Sequence, residues 1–294
     1  MKGYLLEDVK RKIVNALKEE ETGLTGVELA KKTGINRVTL SKYLKMLEAK
    51  GLIKSKSLGV SNVWYLDKSM EEALNVNDIL DIRKIYMNAL LNFKDSKSIL
   101  LNAMNSNIEP ITLIVEVIVP SINTAYELYN RGNITGSEVM VINNLALESL
   151  VLLKFNANRS IKNKASAIFL NAPLENDIVG SKILEVIFYL KGWNTYFIGL
   201  QPESDLLFDI DLMRFINKIW KEDELLLVSI YANESEHIQG VKEVIEGIRE
   251  KSKGRLHILA FTPNNIELGD EDYNTDDLYK ATEWAEMVYN KFRV

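Results

Sequence analysis

The sequence contains no cysteine and only two histidines in 294 residues. Without cysteine the chain can form no disulfide, no thiolate metal site and no thiol nucleophile, and two histidines leave little room for histidine-based zinc binding or catalysis. No apolar run reaches the roughly 18 residues that a membrane span requires, and the first residues lead into charged sequence rather than a signal-peptide core. We therefore expect a cytoplasmic protein with no membrane partner.

Motifs of common enzyme classes are also missing from the sequence. It has no phosphate-binding loop, no Gly-x-Ser-x-Gly, no His-Glu-x-x-His and no Gly-x-Gly-x-x-Gly. Carboxylate pairs such as Asp209/Asp211 and Asp276/Asp277 stand at predicted helix starts, where they favour the helix dipole and need no catalytic role. We expect that the protein is not an enzyme.

The charge is unevenly distributed along the chain. The composition, 47% hydrophobic and 26% charged, is ordinary for a globular protein. Residues 1–68 hold 14 Lys and Arg against 8 Asp and Glu, a balance of +6, and the remainder holds 22 against 33, a balance of −11. A basic segment on an acidic body indicates that this segment alone meets a polyanion.

The basic segment has the pattern of a winged helix-turn-helix. "VKRKIVNALKEE" and "TGVELAKKTG" predict two helices, the second ending at Gly34, and "INRVTLSKYLKMLEAKG" predicts a third with Leu40, Leu44 and Leu47 as its buried stripe. Two short β runs, "LIKSKS" and "NVWYLD", follow as a hairpin. Residues 8–67 resemble the winged helix-turn-helix domains of prokaryotic transcription regulators, with "TGINRVTLSKYLKMLEAKGLIKSKS" carrying the likeness.

Such a domain is expected to bind double-stranded DNA through its third helix and its wing. Residues near the start of a helix in the major groove reach base edges and phosphates, and a wing touches the backbone. The candidates are Arg37, Thr39, Lys42 and Tyr43 on the helix and Lys54, Lys56 and Ser57 on the wing. Some winged helices serve only as protein-interaction modules, and a scaffold that does not bind DNA is the alternative.

Beyond the wing, the pattern predicts a helical bundle and then an α/β domain. Apolar residues recur every three to four positions up to residue 156, which predicts about four helices with breaks near Asn75, near Asn107 and at residues 131–135. From residue 165, the strand-like runs "ASAIFL", "TYFIGL", "LLLVSI" and "RLHILAF" alternate with helices at 178–191, 206–221, 236–252 and 276–292. Alternation of this kind predicts a flavodoxin-like or Rossmann-like parallel sheet with helices on both faces, and a ligand crevice at the carboxyl ends of the strands.

Three stretches within residues 75–294 share a pattern with a known family: "IEPITLIVEVIVPSINTAYELYNRGNI", "IVGSKILEVIFYLKGWNTYFIGL" and the closing "DYNTDDLYKATEWAEMVYNKF". On these stretches the segment resembles the cobalamin-binding light-sensing regulators related to the MerR family. The resemblance implies a helical cap over the sheet and a Glu-x-His-x-x-Gly loop whose histidine coordinates cobalt. Glu175 and Gly180 match this loop, but Asp177 stands at the histidine position.

Other ligand-contacting positions of that family depart as well. A tryptophan and a Glu-His pair that the family places over the corrin correspond to Tyr129, Val139 and Met140, and the Gly-Gly after the fourth strand is replaced within residues 262–265. An aspartate is a hard oxygen donor and a poor substitute for imidazole on cobalt. We therefore expect no cobalamin cofactor, no resident metal, and a domain that serves assembly or another ligand.

Two alternatives keep a ligand in this domain. A changed small-molecule pocket between cap and sheet would be lined by Tyr129, Met140, Asn171, Glu175, Asp177 and Tyr231. Cobalamin without a lower histidine is the other, with His237, at a predicted helix start on the same face, as a replacement ligand. The second histidine, His257, lies inside a predicted strand.

The predicted organisation has three domains: 1–68 winged helix, 75–156 helical cap and 165–294 cobalamin-binding-like domain. Specific prokaryotic operators are usually read by dimers, so we expect a homodimer or higher homo-oligomer formed through the cap and sheet domains. The sequence leaves the effector unknown. Richness in Lys, Ile and Asn without cysteine would suit an archaeon.

Overall fold

The computed structural model describes most of the chain, in two compact units. The described residues are 6–18, 20, 23–49, 53–58, 61–66, 78–157, 164–173, 175, 177–200, 208–221, 224–234, 237–251, 255–263, 266 and 268–293. The units are Met1–Ser149 and Leu150–Val294. The three predicted domain boundaries stay predictions, and most of the polar link before residue 165 lies outside the described residues.

The first unit begins with the predicted winged helix-turn-helix. Its elements are α1 (Leu6–Lys18), β1 (Leu24–Thr25), α2 (Gly26–Thr33), α3 (Arg37–Ala49), β2 (Lys54–Leu58) and β3 (Ser61–Tyr65). The wing strands β2 and β3 pair antiparallel, and β1, which the sequence did not predict, pairs with the other edge of β3. The wing-turn residues Gly59 and Val60 lie outside the described residues.

Local hydrogen bonds set the start of α2 and α3. Thr25 and Glu28 form a reciprocal capping box, in which the Thr25 N–H donates to the Glu28 carboxylate at 2.7 Å. That bond is the main cause that lowers the pKa of Glu28. Gly34 ends α2 with φ +68°, a backbone conformation that favours glycine. Asn36 Oδ1 then accepts from the Val38 N–H at 2.9 Å and starts α3.

The predicted helical bundle follows the winged helix, and its last helix continues beyond Ser149, where the first unit ends, into the second unit. Its segments are α4 (Ile79–Leu91), α5 (Lys97–Asn105), α6 (Pro110–Leu113), a π-helical turn (Ile114–Ile118), α7 (Val119–Asn130) and α8 (Gly136–Asn156). The breaks predicted near residue 107 and at 131–135 are present, whereas the break between α4 and α5, where Phe93 has φ 53°, was not predicted. The break predicted near Asn75 lies outside the described residues.

The π-helical turn has a covalent cause. Pro120 has no N–H to donate to the carbonyl of Glu116, and its ring crowds that carbonyl, so a regular helix is disfavoured there. The Glu116 carbonyl accepts a hydrogen bond from Arg83 Nε at 2.5 Å, and Arg83 also pairs with the Glu116 carboxylate at 3.1 Å. Arg83 on α4 therefore supplies the donor that the proline lacks.

One helix among the described residues, Pro110–Asn130, is long and apolar enough to cross a membrane by length and composition. The sequence reading had recognised no such run. A single helix of this kind is weak evidence for a span, because core helices of bundles meet the same test. The absence of a membrane partner stays a prediction.

The second unit contains a five-stranded parallel sheet. Its strands are β4 (Ser166–Asn171), β5 (Asn194–Gly199), β6 (Leu226–Tyr231), β7 (Leu256–Phe261) and β8 (Tyr273–Thr275), in the order β5-β4-β6-β7-β8. The helices are α9 (Val179–Leu190), α10 (Phe208–Ile219), α11 (Ile238–Lys251) and α12 (Leu278–Phe292). The four predicted strands and four predicted helices are confirmed to within about two residues, a margin ordinary for element ends. The short edge strand β8 was not predicted.

Helices cover both faces of this sheet, as the continuous apolar strands predicted. Alternate residues of β4 separate into two cores: Ile168 and Leu170 pack with α10 and α11, whereas Ala167 and Phe169 pack with α9 and α12. This period-two division buries both faces of the central strands. The mixed α/β fold with an N-terminal winged helix is therefore confirmed.

Candidate functional site

The exposed face of α3 is the first candidate site. Leu40, Leu44 and Leu47 face the core of the winged helix, which leaves the opposite face of α3 to solvent. At the helical angle of about 100° per residue, this exposed face carries seven side chains on one stripe. They are Arg37, Val38, Ser41, Lys42, Lys45, Glu48 and Ala49.

The four residues of α3 that the sequence predicted to contact DNA differ in their solvent exposure. Arg37 and Lys42 lie on the exposed face, but Thr39 and Tyr43 are half-buried at its edge, and Tyr43 packs against the core. The exposed positions Val38, Ser41 and Lys45 were missed. The sequence could have predicted their exposure, because the face opposite the buried stripe of Leu40, Leu44 and Leu47 is the one that faces solvent.

The nominated wing residues lie on β2, next to α3 in the chain. Lys54, Lys56 and Ser57 are exposed, and Ser57 Oγ donates to Asn62 Oδ1 at 2.9 Å across the wing. Ser55, between them, donates to Glu48 of α3 and so ties the wing to that helix. The resulting surface carries the cations of Arg37, Lys42 and Lys45 together with those of the wing. Contact of any one residue with DNA stays a prediction.

The second candidate site is the carboxyl edge of the sheet where the strand order reverses. β4 lies between β5 and β6, so the connection that leaves β4 runs to β5 on one side and the connection that leaves β6 runs to β7 on the other. In open α/β sheets this switch point is where ligands bind. Asn171 and Tyr231, the last residues of β4 and β6, are register partners at this point.

The loop after β4 is held by its own polar groups. The buried Asn171 donates from Nδ2 to the carbonyls of Glu175 and Asp177 at 3.0 and 2.9 Å, and its Oδ1 accepts from Ser181 of α9. Glu175 Oε2 accepts from the Asn233 N–H at 2.8 Å, which joins this loop to the loop after β6. Four of the six predicted pocket residues therefore meet here, but three of them brace the loop.

Asp177, which the resemblance places at the histidine position, lies one residue before Ile178, the N-cap of α9, and caps the first N–H of the helix. Its Oδ1 accepts from the Val179 N–H at 2.9 Å, at the start of α9. A capping carboxylate satisfies an N–H that has no partner within the helix. The residue is a hard oxygen donor already committed to the backbone, so the donor set does not fit a cobalt ligand.

Tyr231 occupies the space above the start of α9. A Cβ added to Gly180 would lie 2.1 Å from Tyr231 Cε2 and 2.3 Å from Cζ. The same ring stacks on Phe261, with centroids 6.1 Å apart. The crevice at the switch point is therefore filled at this place by a side chain of the protein itself.

The remaining ligand candidates belong to elements other than the loop after β4. Tyr129 and Met140 belong to the first unit and are 47% and 70% exposed, and their convergence with the loop residues stays a prediction. His237 is half-buried just before α11, and its buried Nδ1 has no hydrogen-bond partner among the described residues. His257 Nδ1 lies 2.8 Å from the Glu271 carbonyl and the ring packs edge-on to Trp284. Among the described residues, no three His, Asp or Glu side chains are grouped to hold a metal ion.

Sequence reasoning also missed a buried charge cluster beside the sheet. Glu185 of α9 is fully buried and accepts from Lys154 and Thr195, each at 2.5 Å, and pairs with Lys182 at 2.8 Å. Burial alone would raise the pKa of Glu185, but the hydrogen bonds from these three groups outweigh it and lower the pKa below the ordinary glutamate value. A single Glu in a helical pattern carries no signal for such a cluster.

Comparison with known proteins identifies the first site by sequence. A family model described as winged helix-turn-helix DNA-binding matches residues 6–54. A search of curated proteins finds no match to this chain. The family match covers α1 to α3 and the start of the wing, and thus includes the whole exposed face of α3.

Solved structures identify the fold of the rest. The monomethylamine corrinoid protein of Methanosarcina barkeri is similar with a TM-score of 0.57 and 12% identity, over 72% of this chain and all of that one. A methanol:cobalamin methyltransferase complex of Methanosarcina barkeri (TM-score 0.35, 16% identity, 87% and 93% of the two chains) and a cobalamin-binding protein of Desulfitobacterium hafniense (0.34, 11%, 71% and 99%) are more distant. The chain thus combines a winged helix-turn-helix with a module whose fold is similar to that of a corrinoid protein.

Proposed function

We propose that this protein is a cytoplasmic transcription regulator that binds double-stranded DNA. The observation that carries the proposal is the match of residues 6–54 to winged helix-turn-helix DNA-binding domains. The exposed face of α3 supports it, because Arg37, Lys42 and Lys45 give that face the positive charge that phosphates attract.

We propose that the C-terminal module is a cobalamin-binding fold that has lost its cofactor and serves assembly or another ligand. Three features of the switch point support this. Asp177 caps α9 in place of a histidine, Asn171 and Glu175 brace the loop, and the Tyr231 ring fills the space over Gly180. The first two features engage polar side chains that a ligand would otherwise contact. The third fills space that a ligand would occupy.

The same proposal assigns the protein no enzymatic reaction and a homo-oligomeric state. Operators are usually read as two half-sites about one helical turn apart, so two winged helices in one assembly bind a site that one binds weakly. A ligand of the C-terminal module would control DNA binding by favouring one assembly state.

DNA binding is tested by fluorescence anisotropy with the full chain and DNA selected from a random pool. We expect affinity to fall steeply as salt rises, because bound phosphates release counterions. Arg37→Ala should weaken binding by about 1–3 kcal/mol. Arg131→Ala, an exposed arginine in the bundle, is the matched control and should bind as the wild type does. Absence of salt-dependent binding would instead support the protein-interaction scaffold.

Absorption spectroscopy tests whether the C-terminal module binds cobalamin. The purified protein is incubated in the dark with adenosylcobalamin or hydroxocobalamin and then desalted, and its absorption spectrum is recorded. We expect a colourless protein. Corrin bands that stay with the protein in a one-to-one ratio would show a cobalamin sensor with unusual ligation, and His237→Ala would then show whether that histidine is the replacement ligand.

A further inference from the structure

One large apolar side chain stands on the exposed face of α3. Val38 is 72% exposed, more than any other large apolar residue in the described part of the winged helix. It does not contribute to the core, which α3 supplies through Leu40, Leu44 and Leu47. Single exposed apolar residues are common on proteins, so exposure alone decides nothing.

Val38 differs in chemistry from the polar side chains that surround it on this face. The polar side chains of that face are the cationic donors Arg37, Lys42 and Lys45, then Ser41, whose Oγ donates to the Arg37 carbonyl at 2.9 Å, and Glu48, which accepts from Ser55 of the wing. A base edge in the major groove offers hydrogen-bonding groups and, at thymine alone, a methyl group. In the first turn of α3, Val38 is the one exposed side chain whose chemistry matches the methyl group and none of the polar groups.

Val38 also has a fixed position. It lies on the first turn of α3, where recognition helices contact base edges. The Asn36 cap holds its N–H at 2.9 Å, and a β-branched side chain in a helix keeps one strongly preferred rotamer. Little conformational entropy would be lost when its two methyl groups meet a ligand.

We propose that Val38 is a specificity-determining residue that selects thymine by contact with its 5-methyl group in the major groove. This inference rests on the proposed DNA-binding function and adds to it the base that one residue reads. Burying one methyl-sized group contributes about 0.8 kcal/mol, which corresponds to about fourfold in affinity. The contact therefore sets a preference at one base pair while the basic side chains provide most of the affinity.

The test removes either the 5-methyl group of a thymine or the two methyl groups of Val38. The full chain first selects a site from random DNA, and each thymine of that site is then replaced by deoxyuridine, which lacks only the methyl group. Wild-type affinity should fall about fourfold at one thymine of each half-site. Val38→Ala should bind the thymine and deoxyuridine versions of that position equally. Val27→Ala, which changes the exposed valine at the start of α2, should keep the wild-type response to every replacement.

Each result has one meaning. A thymine whose replacement matters to the wild type and not to Val38→Ala supports the proposal. If Val38→Ala responds to deoxyuridine at the same positions and by the same factors as the wild type, Val38 reads no methyl group and the proposal is wrong. If no sequence is selected and no salt-dependent binding occurs, the proposed DNA-binding function fails first and this inference fails with it.

Discussion

The ring of Tyr231 lies where a side chain at position 180 would lie, so glycine at 180 and tyrosine at 231 are sterically coupled. The coupling joins the end of β6 to the first turn of α9 at the switch point of the sheet. In the family that this module resembles, a glycine occurs at the position of Gly180 within the metal-binding loop. Here that glycine makes room for a side chain of the same chain.

Gly180→Ala should destabilise the protein by about 1–2 kcal/mol in urea unfolding, because the new Cβ overlaps the Tyr231 ring. The expected sign is unusual, since Gly→Ala within a helix normally stabilises by up to about 1 kcal/mol. Gly247→Ala in α11 is the matched control: nothing lies within 4 Å of its added Cβ, and the usual stabilisation should appear. In a Tyr231→Ala background, Gly180→Ala should become neutral or stabilising. Equal effects of Gly180→Ala in both backgrounds would contradict the coupling.

Asp177→Ala should cost about 1 kcal/mol of stability, because the Val179 N–H loses its acceptor at the start of α9. Asp177→Asn keeps a side-chain oxygen in the same place and should cost less than half as much. Urea unfolding of the three proteins measures the difference. An Asp177→Ala protein as stable as the wild type would show that this residue is not a working cap.

Arg83→Ala should destabilise the bundle by about 1–2 kcal/mol, because the Glu116 carbonyl loses the donor that replaces the missing N–H of Pro120. Arg83→Lys should recover only part of the loss, since one ammonium group cannot contact the carbonyl and the carboxylate in the fork geometry of a guanidinium. The next residue, Lys84, pairs with Asp81 at the surface, so Lys84→Ala should change stability by less than about 0.5 kcal/mol. Thermal and urea unfolding of the three variants rank these effects.

Glu185→Gln should destabilise the protein by about 2 kcal/mol at neutral pH, because Lys154 and Lys182 lose a buried counter-charge. Glu283→Gln, on the exposed side of α12, is the control and should change stability by less than about 0.5 kcal/mol.

The same variant tests the pH dependence of stability. The pKa of Glu185 is lower in the folded protein than its ordinary value of 4.5, so the unfolded chain binds the proton more readily. Its stabilisation is therefore fully present above that ordinary value and is lost as the pH falls through the lower folded pKa. Urea midpoints from pH 7 to pH 3 should fall less steeply for Glu185→Gln than for the wild type. Parallel curves would place the acid sensitivity elsewhere.

Periodicity and local chemistry account for most of what the sequence alone determined. The stripe of Leu40, Leu44 and Leu47 and the stop at Gly34 identified the helix-turn-helix, because those signals act within a few residues of each other. The continuous apolar strands likewise identified a buried parallel sheet. Each of these conclusions depends on residue type and spacing alone.

Only the tertiary structure decided which side chains meet. The sequence placed Tyr231 in a ligand pocket, whereas the structure places its ring over Gly180, 51 positions earlier in the chain. It also placed Tyr43 on the DNA-facing side of α3, whereas the fold half-buries it and exposes Val38 and Lys45. The β4–β6 register that pairs Asn171 with Tyr231, and the packing that surrounds Glu185 with lysines, are likewise contacts between distant residues. The physical reason is that such contacts depend on how strands order and helices pack, which no local pattern of residues encodes.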